Sequence, residues 1–142
     1  MIQITSTLRD QMVEHALREF PNEACGLLAG ALRPPATGDG LAASAESFHP
    51  MTNADASPVT YRLDPQQQLK VFDAIEEAGL EVVGIVHSHT HSEAYPSETD
   101  RKQAFYPEAH YVLVSLQDRN NPVIRAFIIL DGSIDEQDVI TR

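Results

Sequence analysis

The sequence predicts an α/β sandwich, a mixed and largely antiparallel sheet with helices packed on it. Two segments place apolar residues at three- and four-residue steps, the repeat of a helix face. Several short apolar runs are bounded by turn formers, as strands are. Their order is helix, strands, helix, strand, helix and then a meander, which suits one layered domain over residues 1–142. A chain of 142 residues is long enough to bury roughly two-thirds of its unfolded surface.

In the first helix, Thr7 followed by Asp10 reads as an N-terminal cap, and Leu8, Met12, Val13, Ala16, Leu17 and Phe20 recur at helical spacing. His15 falls on the polar side of that helix. Pro21 and Asn22 end it, and ACGLLAG, residues 24–30, reads as a buried strand with Glu23 at its mouth. Residues 33–47 are rich in Pro, Gly, Ala and Ser without an apolar period, and are expected to form a loop. Residues 47–64 mix short strands with turns. Asp64 then caps a helix whose first position is Pro65, whose inward stripe is Leu69, Val71, Phe72 and Ile75, and whose stop is Gly79.

EVVGIVH, residues 81–87, has the β-branched apolar character of a strand in mid-sheet and delivers His87 at its end. A helix is expected to begin at Ser97. YVLVSLQ, VIRAFIIL and SIDEQDVI read as three more strands, the last two joined by Asp131-Gly132, a pair suited to a tight hairpin.

Composition narrows the function. Ten Lys plus Arg against twenty-one Asp plus Glu give a formal charge of −11, the wrong sign for gripping a phosphate backbone or an anionic membrane. Nucleic acid and membrane partners are therefore not expected. Hydrophobic residues at 42% keep the acidity from signifying disorder. The single cysteine, Cys25, forms no internal disulfide and excludes zinc sites that need two thiolates. With no basic n-region before an apolar stretch and no apolar window near 18 residues, a cytoplasmic protein is expected.

The chemistry is concentrated in VHSHTHSEAYPSETD, residues 86–100. If the strand runs through residue 89, His87 and His89 share a face with Cα atoms about 6.5 Å apart, close enough for both imidazoles to hold one ion. His91 extends the row if the chain stays extended past Thr90. Asp100, eleven residues after His89, offers a carboxylate from the first turn of the next helix. Two imidazoles, a carboxylate and an open position describe a hydrolytic site for one Zn²⁺. Such a site needs a proton shuttle, for which Glu23 is the candidate, and an oxyanion donor, for which Ser97 is near in sequence.

Plainer readings compete. Ser97-Glu98-Thr99-Asp100 fits a helix capping box, and the two readings are compatible. Cys25 reads as a small buried hydrophobe. His15, His49 and His110 default to structural or solvated roles, and Glu93 and Glu98 to solvated charges. H-E-x-x-H, G-x-S-x-G, a P-loop and Cys-x-x-C are all absent.

At Glu23, His87-Ser88-His89, Ser97 and Asp100 the sequence resembles the JAMM or MPN-plus metalloprotease family. The resemblance implies that His87, His89 and Asp100 hold zinc, that Glu23 activates the water and that Ser97 helps stabilise the oxyanion. It also implies the family's cytidine-deaminase-like α/β sandwich. Thr90 stands where most members have Pro, as in a bacterial subgroup that NEACGLLAG, PMTNADASP and AHYVLVS also resemble. That subgroup implies a partner: a ubiquitin-like sulfur-carrier protein with a Gly-Gly C-terminus carrying cysteine, from which free cysteine is released. A general isopeptidase or C-terminal processing enzyme is the alternative. A non-catalytic MPN-type binding module and a zinc store built on the histidine row are readings of a different class.

Overall fold

The computed structural model describes residues 1–33 and 42–142. In chain order the elements are β1 (Ile2–Ile4), α1 (Ser6–Glu19), β2 (Cys25–Arg33), β3 (Ala42–Met51), α2 (Pro65–Glu77), β4 (Glu81–His89), α3 (Glu98–Lys102), β5 (His110–Ser115), β6 (Val123–Leu130), β7 (Ser133–Gln137) and β8 (Val139–Thr141). They form a mixed eight-stranded sheet ordered β7-β6-β5-β4-β2-β3-β1-β8. The pairs β2–β3, β2–β4, β5–β6 and β6–β7 are antiparallel, while β4–β5, β1–β3 and β1–β8 are parallel. The predicted fold class is the observed one.

The strands β7 and β8 lie at opposite ends of that order, yet only Asp138 separates them in sequence. The sheet is therefore curled until its two ends meet at one corner. There the Ile2 amide donates to the Asp138 carbonyl at 2.9 Å and the Arg142 amide to the Ile4 carbonyl at 3.2 Å. SIDEQDVI is thus two strands with different partners rather than one.

Both faces of the sheet are covered, which explains why its central strands read as continuous apolar runs. One core packs Leu8, Met12 and Ala16 of α1 onto Ile2, Leu28, Val86 and Val112. The other packs Ile75 of α2 with Leu27, Ile85, Leu113 and Phe127. Each fully buried Leu, Ile or Phe contributes about 1.5–3 kcal/mol.

Several local expectations need correction. The cap of α1 is Thr5, whose hydroxyl accepts from the Leu8 amide, because β1 ends one residue earlier and sets where the helix turns in. His15 is buried and its Nε2 lies 3.0 Å from the Cys25 carbonyl, so a polar side chain occupies the inner face. Leu17 and Leu69 point to solvent. The predicted loop 33–47 partly lies outside the described residues, and its portion 42–47 belongs to β3, where cross-strand bonds to β2 replace local propensity. The Asp64 cap, Pro65 start and Gly79 stop of α2 are as predicted; Gly79 has φ 73°. Asp131 and Gly132, with φ of 49° and 81°, make the tight hairpin.

His110, at the start of β5, is fully buried beside the Val83 backbone, and neither ring nitrogen makes a well-formed hydrogen bond among the described residues. Burial, assisted by the N-terminal ammonium, pushes it down from 6.5 to about 4. The folded value lies below the unfolded one, so its contribution is complete above pH 6.5 and is lost as the pH falls toward 4. A shift of this size is worth on the order of 3 kcal/mol. Urea titrations at pH 7 and pH 4.5 are expected to show a larger loss of stability in the parent than in His110→Leu; equal losses would refute this.

Candidate metal centre

The strand β4 is paired on both sides, with His87 opposite Cys25 of β2 and Leu113 of β5. A doubly paired strand has little freedom, so the alternation of its side chains is fixed. His87 and His89 consequently emerge on one face, 1% and 4% exposed. Gly26 lets β3 approach β2 closely: a Cβ there would lie 2.6 Å from the His49 carbonyl and 2.7 Å from the Phe48 ring.

The third member arrives on a capped helix. The Ser97 hydroxyl accepts from the Asp100 amide at 3.1 Å, and Asp100 Oδ2 accepts from the Ser97 amide at 2.9 Å. This reciprocal box, predicted from sequence, aims the same Oδ2 at both histidines: it lies 3.1 Å from His87 Nε2 and 2.9 Å from His89 Nε2. One ligating atom from each of the three residues falls within 4.8 Å of the others. His91 does not extend the row. Its ring is exposed, sits 5.6 Å from that of Phe20, and its Nδ1 faces the Thr90 hydroxyl at 2.8 Å.

The donor set fits a cation. His89 Nδ1 donates to the Glu93 carbonyl at 2.8 Å, which leaves Nε2 as a bare acceptor in the neutral ring. His87 is buried with neither nitrogen in a well-formed hydrogen bond among the described residues, although its Nε2 is 3.1 Å from Asp100 Oδ2. Burial, only partly offset by Asp100, lowers its proton affinity. Burial opposes ionisation of Asp100, but the two imidazoles and the Ser97 amide outweigh it and hold the carboxylate well below its usual range. Two imidazole nitrogens and one carboxylate oxygen meet at one point, an arrangement that needs positive charge between them, supplied either by a proton or by a cation. Cys25 is buried, and burial foremost pushes its thiol up to about 12, as expected of a structural cysteine.

Glu23 is brought to this centre from the other end of the chain. The Ser88 amide donates to the Ala24 carbonyl at 3.0 Å, and the Ala24 amide to the Ser88 hydroxyl at 2.7 Å, clamping the mouth of β2 to the strand that carries both histidines. The Glu23 side chain is 4% exposed and its Oε1 has no hydrogen-bond partner among the described residues. Burial raises its pKa to about 8; nearby His89 lowers it and Asp100 raises it. Glu23, His89 and Ser97 line one cavity of about 280 Å³, completed by Pro58, Val59, Thr90, His91 and Ser92. Of the sequence candidates, then, all five converge.

Two residues the sequence reading missed also shape the site. The Tyr61 ring stacks on His87, with centroids 4.2 Å apart and an 18° interplanar angle. It also lines a second, more apolar cavity of about 230 Å³ with Leu63, Ile85, Phe105 and Tyr106. Asn53 organises the segment that carries Tyr61. An Asn two residues before Asp55 is a turn signal, but nothing local connects either residue to the histidines.

The pattern that defines the prokaryotic homologs of the JAB domain matches residues 5–129. The chain is 48% identical over 139 residues to the CysO-cysteine peptidase of Mycobacterium tuberculosis, covering 98% of this chain and 90% of that one. It is 36% identical over 119 residues to the desampylase of Haloferax volcanii, covering 80% of each. A solution structure of a protein from Desulfitobacterium hafniense matches with a TM-score of 0.87 at 34% identity, over 100% of this chain and 93% of that one. A family match over residues 5–129, with sequence identity and a shared fold over nearly the whole length, places this chain in the prokaryotic JAB-domain family.

Proposed function

We propose that the protein is a cytoplasmic zinc-dependent peptidase. It hydrolyses the bond between the C-terminal Gly of a ubiquitin-like sulfur-carrier protein and an attached cysteine, releasing cysteine for biosynthesis. The observation that carries the chemistry is the convergence of His87, His89 and Asp100 beside the buried carboxylate of Glu23, whose Oε1 has no hydrogen-bond partner among the described residues. The similarity to a peptidase named for a cysteine-bearing carrier supports the substrate.

His87, His89 and Asp100 would hold one Zn²⁺, which when bound polarises a carbonyl and makes water more acidic. Glu23 takes the proton of the attacking water and delivers it to the departing amine, a task for which its raised proton affinity near neutral pH suits it. The Ser97 oxygen already accepts from the Asp100 amide, so its own proton is free to be donated to the developing oxyanion. The Glu93 carbonyl holds the His89 ring in orientation. The cavity lined by Glu23, His89 and Ser97, and the second one lined by Tyr61, whose ring stacks on His87, suit a substrate that continues on both sides of the scissile bond.

The test offers zinc-loaded protein three substrates built on one Gly-Gly carrier: a C-terminal cysteine adduct, a lysine isopeptide adduct and a C-terminally extended precursor. Intact mass is expected to show the cysteine adduct consumed at least about tenfold faster than the others. Equal rates would instead establish a general isopeptidase, the reading that the similarity to desampylase favours. Failure to cleave any of the three would overturn the peptidase assignment.

A further inference from the structure

We propose that Asn53 is a positioning residue for hydrolysis, one amide that sets Glu23 and the Tyr61–His87 stack in register with each other. This rests on the peptidase reading above. Asn53 is only half-buried, yet every hydrogen-bonding group of its side chain is used. Nδ2 donates to the Glu23 carbonyl at 3.0 Å and to the Thr60 carbonyl at 2.9 Å, with the Ser57 carbonyl at 3.5 Å. Oδ1 accepts from the Asp55 amide at 3.0 Å and the Arg62 amide at 3.1 Å.

The targets of these bonds distinguish this residue from an ordinary loop organiser. Thr60 and Arg62 flank Tyr61, so the amide grips both sides of the residue whose ring lies on the metal-ligating His87. The same Nδ2 holds the main chain of Glu23, whose own amide donates to the Ser57 carbonyl at 2.8 Å. The proton-transferring residue and the ring packed on a ligand are thereby tied to a single planar group. Their carriers are far apart in sequence, Glu23 before β2 and Tyr61 in the connection before α2, and apart from the Glu23–Ser57 main-chain bond it is this amide that joins them.

Only Asn satisfies this arrangement. Asp would set acceptors against three carbonyls, and Gln would move the amide by one methylene. A misplacement of about 1 Å at a reacting group lowers turnover about 100-fold, while substrate binding through distant contacts need not change.

The test compares zinc-loaded parent, Asn53→Asp, Asn53→Ala and Glu23→Gln on the cysteine-bearing Gly-Gly carrier. Asn53→Ala removes the bonds without adding charge and serves if the Asp variant does not fold. The expected result is a fall in kcat of about 10- to 100-fold, with KM within about threefold and zinc per chain unchanged. The imidazole proton resonances of His87 should also move, since the Tyr61 ring current acts on them. Met12→Ala, which weakens the opposite core, should lower the melting temperature and leave both kcat and those resonances in place. If Glu23→Gln is inactive but the folded Asn53 variants keep kcat within twofold of the parent, the inference is overturned alone. A fall in kcat that merely tracks lost zinc also overturns it. An active Glu23→Gln instead removes the peptidase mechanism on which it rests.

Discussion

Replacing Glu23 by Gln is expected to lower kcat on the cysteine-bearing carrier by a factor on the order of 10²–10⁴, the usual effect of removing a general acid–base group. The fold and the metal content should be unchanged. The reason for that separation is structural. Glu23 Oε1 makes no hydrogen bond to any described residue, so the isosteric amide breaks none. Its position is held through the main chain, by Ser57, Asn53 and the Ala24–Ser88 clamp, and those bonds do not depend on the side chain. Gln lacks the carboxylate that takes a proton from water, so chemistry stops while binding persists. Three measurements are needed: cysteine release, zinc by elemental analysis and the melting temperature. Release within tenfold of the parent would show that another group moves the proton.

Asp100→Asn is expected to abolish zinc retention and turnover together while leaving α3 formed. Asp100 has two tasks on one oxygen: Oδ2 accepts from the Ser97 amide and faces both Nε2 atoms. Asn keeps an oxygen for the cap, worth about 1 kcal/mol. It removes the negative charge that holds a cation between two neutral rings. After chelation and re-addition of equimolar zinc, the parent should recover activity and the variant should not. A complementary variant, Ser97→Ala, loses the capping hydroxyl but keeps all three ligands, so it should bind zinc and show reduced kcat. Full zinc occupancy in Asp100→Asn would exclude this carboxylate from the ligand set.

The parts of the site that sequence made legible are those whose geometry is local. His87 and His89 are two apart on a strand, which alone puts them on one face. Ser97 and Asp100 are three apart at a helix start, which alone makes a capping box. Asp64, Pro65 and Gly79 bound α2 by the same kind of near-neighbour chemistry. Errors arose where a distant partner decided. Local composition made residues 42–47 a loop, but the ladder with β2 draws them into β3. Helical spacing turned Leu69 inward, whereas only Ile75 of that stripe is fully buried. His91 continued the histidine row only on the assumption of an extended chain, and the strand ends at His89.

By itself, then, the sequence determined the order of the helices and of the central strands, though not β1 or the split of β7 from β8, together with the strand that presents two imidazoles, the capped turn that presents a carboxylate, and the absence of any thiolate pair. These follow from contacts within about four residues, which covalent geometry makes nearly unavoidable. Tertiary structure alone decided that Glu23 lies beside the ligands, that Tyr61 stacks on His87, that Asn53 ties these together, and that β8 closes against β1. Each joins residues whose separation in sequence carries no geometric information. Their meeting depends on which faces the whole curled sheet buries, a property of all its strands at once.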